Sequence, residues 1–238
     1  MVSVNDTEFN KIYTNTKNEA KHQGTWKDVF SQDMRRYAFI AIIISLFVQF
    51  SGINTFIFYS PEIFVHLGYT TINAAFTSGW ATCLAELWPV FLAEFLLVNK
   101  LGTKKAFLMG AAGMFISMIV SSIFLLELHG SSLGIATIAL IFVFLFFFEA
   151  CYGLALWAFS PEIFPTNIRG RGTSLFMTVD SLAGFIVTGT FPYMLNKIGL
   201  AYTIDIYGII TLIAFVFMIF FLPDRKDKHL LEGVKSID

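Results

Sequence analysis

Residues Leu133–Phe159 have the sequence LGIATIALIFVFLFFFEACYGLALWAF, an apolar run whose one charged residue is Glu149. A helix that crosses the hydrocarbon core of a bilayer needs about 20 predominantly apolar residues. The run exceeds that length. The sequence therefore predicts that this segment crosses a membrane as a helix.

Five further runs meet the same length requirement, and short connections that carry breakers or charge separate them. They are about Tyr37–Tyr59, Ile72–Val98, Ala106–Leu126, Thr173–Leu195 and Ala201–Leu222. The chain of 238 residues is 56% hydrophobic and only 14% charged, too little charge to cover a soluble domain of this size. We expect an all-α integral membrane protein with a cytoplasmic, partly helical segment at 1–36, a six-helix bundle at 37–222 and a cytoplasmic tail at 223–238.

The distribution of Lys and Arg between the two ends of these spans predicts the orientation of the chain. Cytoplasmic loops carry an excess of Lys and Arg. One side has only Lys197, whereas the other collects Arg35, Arg36, Lys100, Lys104, Lys105, Arg169, Arg171, Arg225, Lys226 and Lys228. With six spans, both termini are predicted to lie in the cytoplasm.

Several function classes are disfavoured by composition. The net charge of −1 gives no basic field for nucleic acid. Cys83 and Cys151 both lie in apolar runs, and no cysteine spacing typical of a metal site is present. No set of nucleophile and base and no phosphate-binding loop is found either. We expect no enzymatic activity, no cofactor and no metal.

A pentapeptide occurs twice in the chain. Ser60-Pro61-Glu62-Ile63-Phe64 follows the first span, and Ser160-Pro161-Glu162-Ile163-Phe164 follows the fourth. Three spans separate the copies, so they lie on opposite faces of the membrane. This placement predicts a three-plus-three inverted repeat, an arrangement typical of secondary transporters. Chance, or the common use of Ser-Pro to end a helix, is the alternative explanation.

Two amides lie within the first span, in the stretch Gln49-Phe50-Ser51-Gly52-Ile53-Asn54. An unsatisfied polar group in hydrocarbon is costly, so each amide needs a partner. Amides offer both donors and acceptors, which suits a polyhydroxylated ligand. Hydrogen bonding to a neighbouring helix is an equally good explanation at this stage.

Two motifs identify a resemblance to the sugar porters of the major facilitator superfamily. Gln-x-Ser-Gly-Ile-Asn followed by Phe58-Tyr59 resembles the family's seventh helix, and Pro161 to Pro165 running into Ile168-Arg169-Gly170-Arg171-Gly172 resembles the cytoplasmic sequence after its tenth helix. Residues 100–105 resemble, more weakly, the loop after its eighth helix. The resemblance covers about Trp26 to Asp224 and implies helices seven to twelve of a twelve-helix fold, that is, its C-terminal half.

The resemblance also implies which residues contact the substrate. Gln49 and Asn54 match the family's sugar-binding amides, and Glu149 and Trp157 match its acidic and aromatic contacts on helix ten. A Trp ring stacks against the C–H face of a sugar, and a carboxylate accepts its hydroxyl protons. The prolines that the family has around Gly153 are absent, which puts hinging of this helix in doubt.

Four acidic residues fall inside the predicted spans: Glu86, Glu94, Glu149 and Asp180. Each is costly in the membrane unless it faces a cavity, finds a partner or stays protonated. We expect at least one to line a polar cavity, with Asp180 and Glu86 as secondary binding residues. Coupling of transport to protons is one interpretation, and a structural role for protonated or hydrogen-bonded acids is the other.

Charged residues after the fourth span predict a cytoplasmic lock. Glu162, Arg169 and Arg171, together with Lys104 from the loop after the second span, would form ion pairs that hold one state closed. The alternative is a positive-inside anchor with a surface ion pair that contributes at most about 1 kcal/mol.

The resemblance implies passage of a monosaccharide, a hexose or pentose, by alternating access as a uniporter or a symporter. A second hypothesis keeps the fold but changes the solute to a polyol, an organic acid or a cation. A third is an isolated half or fragment that is inactive unless it pairs. The expected partners are the sugar, the lipid bilayer and a second six-helix half or homodimer partner, and the expected location is the cell membrane.

Overall fold

A computed structural model describes residues 24–96, 102–127 and 131–222, and all regular secondary structure in these ranges is helical. The helices are α1 (Trp26–Val29), α2 (Arg35–Phe50), α3 (Ile53–Phe58), α4 (Ser60–His66), α5 (Thr71–Leu96), α6 (Thr103–Glu127), α7 (Ser131–Phe147), α8 (Leu154–Glu162) and α9 (Arg169–Phe221). A π-helical segment, Phe148–Gly153, joins α7 to α8. The all-helical class is confirmed. Lys100, Arg225, Lys226 and Lys228 lie outside the described residues, as do most of the predicted terminal segments.

The six predicted crossings correspond to the long helices. Four helical stretches are both long and apolar enough to span a membrane: Arg35–Phe58, Thr103–Glu127, Ala136–Phe159 and Arg169–Phe221. The last contains a break at Gly199, where φ is 82°, so its arms at 169–198 and 200–221 account for two crossings. Helix α5 is the sixth. At 1.5 Å per residue it is about 39 Å long, but Glu86, Glu94 and Pro89 lower its hydropathy.

Two predicted boundaries are corrected by the structure. The predicted connection at 196–199 is not a loop, since helical conformation continues to either side of a single kinked residue, Gly199. The predicted connection at 161–172 is shorter than expected, because α8 extends to Glu162 and α9 begins at Arg169. Pro161 lies inside the last turn of α8, and the helix continues for one residue beyond it, to Glu162.

The first span is broken where α2 meets α3. Gly52 adopts a left-handed conformation with φ of 82°, which residues with a Cβ rarely adopt. Ser51 caps the end of α2 by donating its hydroxyl to the Val48 carbonyl at 2.6 Å. The ring of Tyr207, from the last arm of α9, lies against Gly52, where an added Cβ would be 2.5 Å from Cδ2. Gly52 thus permits both the break and a close approach of α9.

The fourth span contains a second irregularity, the π-helical segment that includes Glu149 and Gly153. Helix α6 packs closely on this segment because it has glycines there. A Cβ on Gly110 would lie 2.8 Å from Tyr152 Cβ, and one on Gly113 would lie 2.2 Å from the ring of Phe147. Although the prolines of the related helix are absent here, the helix has a backbone irregularity, a π-helical turn, which is a feature frequent at functional sites.

The core lies where α9 packs against α2 and α6, with α7 on the other side of α6 and α5 against α4 and α7. The two copies of Ser-Pro-Glu-Ile-Phe are packed alike, since Ile63, Phe64, Ile163 and Phe164 are all buried. The inverted repeat itself stays a prediction.

Gly52→Ala is expected to destabilise the bundle. A left-handed residue with a Cβ costs roughly 1–2 kcal/mol, and overpacking against Tyr207 adds about 1–3 kcal/mol. The thermal unfolding midpoint of the purified chain in detergent should fall by several degrees. Gly79→Ala is the control, because nothing lies within 4 Å of its Cβ position.

Adding Tyr207→Ala to Gly52→Ala separates the two contributions. Tyr207→Ala lowers the unfolding midpoint by itself, because it removes a buried ring. The further loss caused by Gly52→Ala in the Tyr207→Ala background should therefore contain the backbone part alone, and should be smaller than its loss in the native chain. An unfolding midpoint for Gly52→Ala equal to that of the Gly79→Ala control would contradict the described break.

Candidate functional site

Three polar side chains from two distant parts of the sequence form a chain of hydrogen bonds inside the bundle. Asn54 on α3 donates its Nδ2 to Gln49 Oε1 at 2.7 Å. Gln49 on α2 donates its Nε2 to Asp180 Oδ2 on α9 at 2.9 Å. The structure therefore brings together both predicted sugar-binding amides and one of the predicted secondary residues.

Burial is greatest in the middle of this chain. Asn54 and Asp180 are both half-buried, whereas Gln49 between them is 7% exposed. One carboxylate oxygen, Asp180 Oδ1, is nevertheless buried, and no described residue hydrogen-bonds it. Asn54 and Asp180 are therefore the two partly accessible members of the chain, with the Asn54 amide at one end.

Helix α9 is shaped to receive the two amides. Asp180 and Gly184 lie four residues apart, so they share one face of the helix. A Cβ at Gly184 would be 3.1 Å from Gln49 Oε1 and 3.2 Å from Asn54 Nδ2, closer than ordinary contact. One turn away, Ser45 on α2 shares its hydroxyl between the carbonyls of Ala41 at 2.8 Å and Phe176 at 3.2 Å. Two successive turns of α2 are thereby held to two successive turns of α9.

A second group comprises Glu86 on α5 and Glu149 in the π-helical segment. The two elements pack together, and the two carboxyl groups are near enough for their charges to interact. Both side chains are half-buried. Among the described residues, no hydrogen bond joins this pair to the Gln49 chain. The side chain of Glu94 lies outside the described residues.

Trp157 lies one turn beyond the π-helical segment, on α8, and its side chain is 64% exposed. A ring exposed to this extent is not part of the core of the six-helix bundle. It is available either to lipid or to a ligand, which is what a stacking contact requires.

The residues predicted to form a lock lie near the connection between α8 and α9 and at the start of α6. Arg171 donates from Nη1 to the Gly24 carbonyl before α1, and Arg169 donates from Nη2 to Thr166 Oγ1 at 3.4 Å. Lys104 donates to the carbonyl of Ile219 at 3.1 Å. Glu162 is half-buried at the end of α8.

Arg171 also interacts with α1 through charge. Asp28 receives hydrogen bonds from the Thr25 backbone N–H and, at 2.9 Å, from the Thr25 hydroxyl. These bonds, chiefly the first, lower the pKa of Asp28 from its ordinary value, and the charge of Arg171 lowers it further against a small opposing effect of burial. Arg171 therefore links the beginning of α9 to the segment before the first span.

Two features of the site were missed by sequence reasoning. The direct partnership of Asp180 with Gln49 joins positions 131 residues apart, so no local pattern reports it. Gly184, four residues after Asp180, was the one available signal, since a small residue and a polar residue on one helix face favour close interhelical contact. The second missed feature is the π-helical turn that contains Glu149, which the apolar run did not distinguish from a regular helix.

The chemistry available here is hydrogen bonding, stacking and charge. Among residues 24–96, 102–127 and 131–222 no three His, Cys, Asp or Glu side chains lie close enough to hold a metal ion. The amide chain offers both donors and acceptors, the aromatic ring offers an apolar face, and the carboxyl groups offer acceptors. This combination suits a small, uncharged polar ligand with many hydroxyl groups.

Comparison with known proteins assigns the chain to one group of relatives. The family model described as "Sugar (and other) transporter" matches residues 2–234. The arabinose-proton symporter of Bacillus subtilis is 32% identical over 92% of this chain and 47% of its own length. The glucose transporter GlcP of Staphylococcus epidermidis is 28% identical over 97% of this chain and 52% of its own length.

Solved structures agree with the sequence matches. The proton:xylose symporter XylE bound to 6-bromo-6-deoxy-D-glucose has a TM-score of 0.72 and 27% identity over 90% of this chain and 46% of its own. A partially occluded, inward-open conformation of XylE from E. coli has a TM-score of 0.72 and 26% identity, over 92% of this chain and 44% of its own. The chain thus spans about half the length of the curated relatives it matches, and the six helices are half of a major facilitator fold.

Removing one partner of the Gln49–Asp180 bond should cost more stability than removing both. Gln49→Leu leaves a buried carboxylate oxygen without its donor, a loss of about 1–3 kcal/mol, whereas replacing both groups with apolar ones is nearly neutral. The unfolding midpoint of Gln49→Leu should therefore be lower than that of Gln49→Leu/Asp180→Leu. Additive effects of the two substitutions would show that the side chains do not interact.

Loss of the Arg171 contact with the Gly24 carbonyl should increase the mobility of α1. A nitroxide label at Lys27→Cys, in a background without Cys83 and Cys151, should give a narrower spectrum in Arg171→Ala, because the Gly24 carbonyl loses its donor. Arg169→Ala is the matched control, since Arg169 bonds only its own neighbour Thr166 among the contacts above. Identical line shapes in the two variants would rule out a role for Arg171 in holding α1.

Proposed function

Because the chain belongs to the sugar transporter family of the major facilitator superfamily, we propose that it forms the C-terminal six-helix half of a monosaccharide transporter. The observation that carries this proposal is the hydrogen-bonded chain Asn54–Gln49–Asp180. It places an amide that can both donate and accept at the accessible end of a buried polar network. Hydroxyl groups of a hexose or pentose are well matched to such an amide.

The proposed binding surface is one wall of a central site. Gln49 and Asn54 hydrogen-bond the sugar, Trp157 stacks against its C–H face, and Glu149 accepts hydroxyl protons. Asp180 and Glu86 are secondary binding residues of this wall. The opposite wall comes from another six-helix unit, and transport proceeds as the two units rock about the sugar.

A second six-helix unit is thus the proposed partner, either an N-terminal half or a second copy of this chain. Support comes from coverage, since the relatives are about twice as long as the matched region. Exposure of Trp157 on the six-helix bundle agrees with a surface that such a unit, or a ligand, covers. Without this partner the six helices are a half that binds or transports nothing by itself.

A different solute is the second candidate, and the nearby carboxyl groups of Glu86 and Glu149 favour it. Negative charges in a cavity attract cations and repel anions. Competition for binding between a labelled hexose and amino sugars, polyols or organic acids separates the two candidates. A cationic solute would compete best if these acids decide specificity.

Orientation and location follow from the same proposal. Both termini lie in the cytoplasm of a cell-membrane protein in this proposal, which the Lys and Arg distribution supports. Arg171, Arg169, Glu162 and Lys104 then lie on the cytoplasmic side, where their contacts lock one state closed. The protein has no enzymatic step, because it moves its solute unchanged.

Substitutions in the wall should weaken sugar binding without unfolding the protein. Asn54→Ala and Trp157→Ala should each reduce hexose or pentose affinity by roughly 10- to 100-fold, equivalent to about 1–3 kcal/mol. The measurement is equilibrium binding of labelled sugars to the chain in lipid nanodiscs, alone and with the partner half, followed by uptake into liposomes.

Matched controls are available for both residues. Asn196 is exposed and donates only to the Pro192 carbonyl at 2.8 Å, and Trp26 is 50% exposed on α1. Asn196→Ala and Trp26→Ala should bind sugar normally. Equal losses in the controls, or no sugar binding even when the partner half is present, would overturn the proposal.

A further inference from the structure

We propose that residues 26–36, which lead into the first span, bind the surface of an anionic lipid bilayer. This stretch is called the anchor segment below. Its aromatic side chains enter the headgroup region, and its Lys and Arg side chains pair with anionic lipid headgroups. The lipid-binding surface lies outside the proposed sugar site, so the inference holds whether or not the chain transports a sugar.

The first step concerns how the anchor segment is held on the bundle. Gly24, just before the segment, donates its N–H to the Asn167 carbonyl at 3.0 Å, and its carbonyl accepts from Arg171. At the other end, the Arg35 N–H donates to the Ser31 carbonyl at 2.8 Å. Contacts at both ends therefore fix the orientation of α1 relative to the first span.

The second step concerns the two faces of α1. Val29 is fully buried, so its side of the turn faces the bundle. Trp26 and Phe30 are 50% and 53% exposed, and because they lie four residues apart they share one face. Two exposed aromatic rings are unfavourable in water, whereas aromatic residues with a polar tip are enriched where a membrane meets water. The exposed face of α1 is therefore suited to the headgroup region of a bilayer.

The third step places this face at the level of the headgroups. Arg35 is the first residue of α2, the helix with which the first span begins. Phe39 lies one turn further along and is 55% exposed, as expected of a side chain in hydrocarbon. At 1.5 Å per residue, the two positions are about 6 Å apart along the helix axis. Only residues 31–34 separate Phe30 from Arg35, so α1 lies close to the edge of the hydrocarbon region.

The fourth step concerns charge. The anchor segment has three exposed cations, Lys27, Arg35 and Arg36, and two acids, Asp28 and Asp33. Asp28 lies two residues after Trp26, so it points away from the aromatic face. There it accepts hydrogen bonds from Thr25 and interacts with the charge of Arg171. Lys and Arg close to a bilayer are attracted by the negative surface potential of anionic lipids, so such a surface matches the anchor segment in charge.

Two protein segments are alternative covers for the same face, and charge disfavours both. A partner half has its own excess of Lys and Arg on the cytoplasmic side, so two basic surfaces would meet. Residues 1–23 have as many Asp and Glu as Lys residues, and so offer no excess of negative charge. These are Asp6, Glu8, Glu19, Lys11, Lys17 and Lys21. An anionic bilayer supplies both the negative charge and an interface for aromatic rings.

Fluorescence of Trp26 tests the position of the aromatic face. Trp80→Phe, Trp88→Phe and Trp157→Phe leave Trp26 as the one tryptophan, and all three replaced rings are exposed. The full chain is placed in nanodiscs, alone and with its partner half. Phospholipids brominated near the headgroup end of their acyl chains should quench Trp26 more than phospholipids brominated near the methyl end. Iodide in the water should quench it less than it quenches the unfolded chain.

Energy transfer from Trp26 to dansyl-labelled lipids tests the charge. In nanodiscs of phosphatidylglycerol and phosphatidylcholine, dansyl-phosphatidylglycerol should be enriched beside Trp26 over dansyl-phosphatidylcholine by at least about fivefold, the effect of one Lys or Arg near an anionic surface. Lys27→Gln/Arg35→Gln/Arg36→Gln should remove this preference, and added salt should reduce it. Bromolipid quenching of Trp26 should persist in the triple variant, which shows that the variant is still folded.

Lys197→Gln is the matched control, because Lys197 is an exposed cation outside the anchor segment. It should leave the lipid preference unchanged. Strong quenching by iodide would place the aromatic face in water and overturn the inference. Protection from both iodide and bromolipids would also overturn it, since protein would then cover the face: residues 1–23, or the partner half if protection appears only in its presence. Equal enrichment of the two dansyl lipids, or equal losses in the triple variant and the control, would show that these cations recruit no anionic lipid.

Discussion

Hydrocarbon supplies no hydrogen-bond partner for a polar group, and this constraint governs the whole bundle. The hydrogen bond between Gln49 and Asp180 satisfies it for one amide donor and one carboxylate oxygen. An amide on α2 and a carboxylate on α9 are each unfavourable in such surroundings and favourable together. Their pairing sets how closely the first and fifth spans approach.

Close approach of two helices requires small residues where their backbones meet, and three glycines allow it in this bundle. Gly52 turns the chain between α2 and α3 against Tyr207, Gly184 receives the two amides, and Gly113 receives the ring of Phe147. Each position lies next to an irregular backbone segment or a buried polar contact. The helices are thus closely packed at these irregular segments and polar contacts.

Much of the fold was predictable because lipid imposes length and composition. The six apolar runs and the all-helical class follow from the need to bury every backbone hydrogen bond within a helix. For the site, individual residues were predictable from the sequence, but the contacts between them were not. Gln49, Asn54 and Asp180 were each identified as costly polar groups, but their pairing spans 131 residues, and no periodicity encodes which of two distant helices meet. The π-helical turn around Glu149 was not predicted, because a helix can gain one residue in a turn without proline or glycine at its start.

The polar wall of this half divides into groups with different demands on a partner. Gln49 Nε2 and Asp180 Oδ2 satisfy each other within the six helices, whereas Asp180 Oδ1 is buried without a hydrogen bond from the described residues. The ionised forms of Glu86 and Glu149 repel each other because their charges are alike. Protonation of one of them, a bound cation or a hydrogen-bond donor from outside the six helices would reduce this repulsion. Trp157 is exposed, so its apolar ring gains most from a covering surface. Most of the polar contacts between α2 and α9 are therefore made within this half. The groups on α5, α8 and the π-helical segment have fewer such contacts, and this is where a ligand or an opposing wall would contribute most.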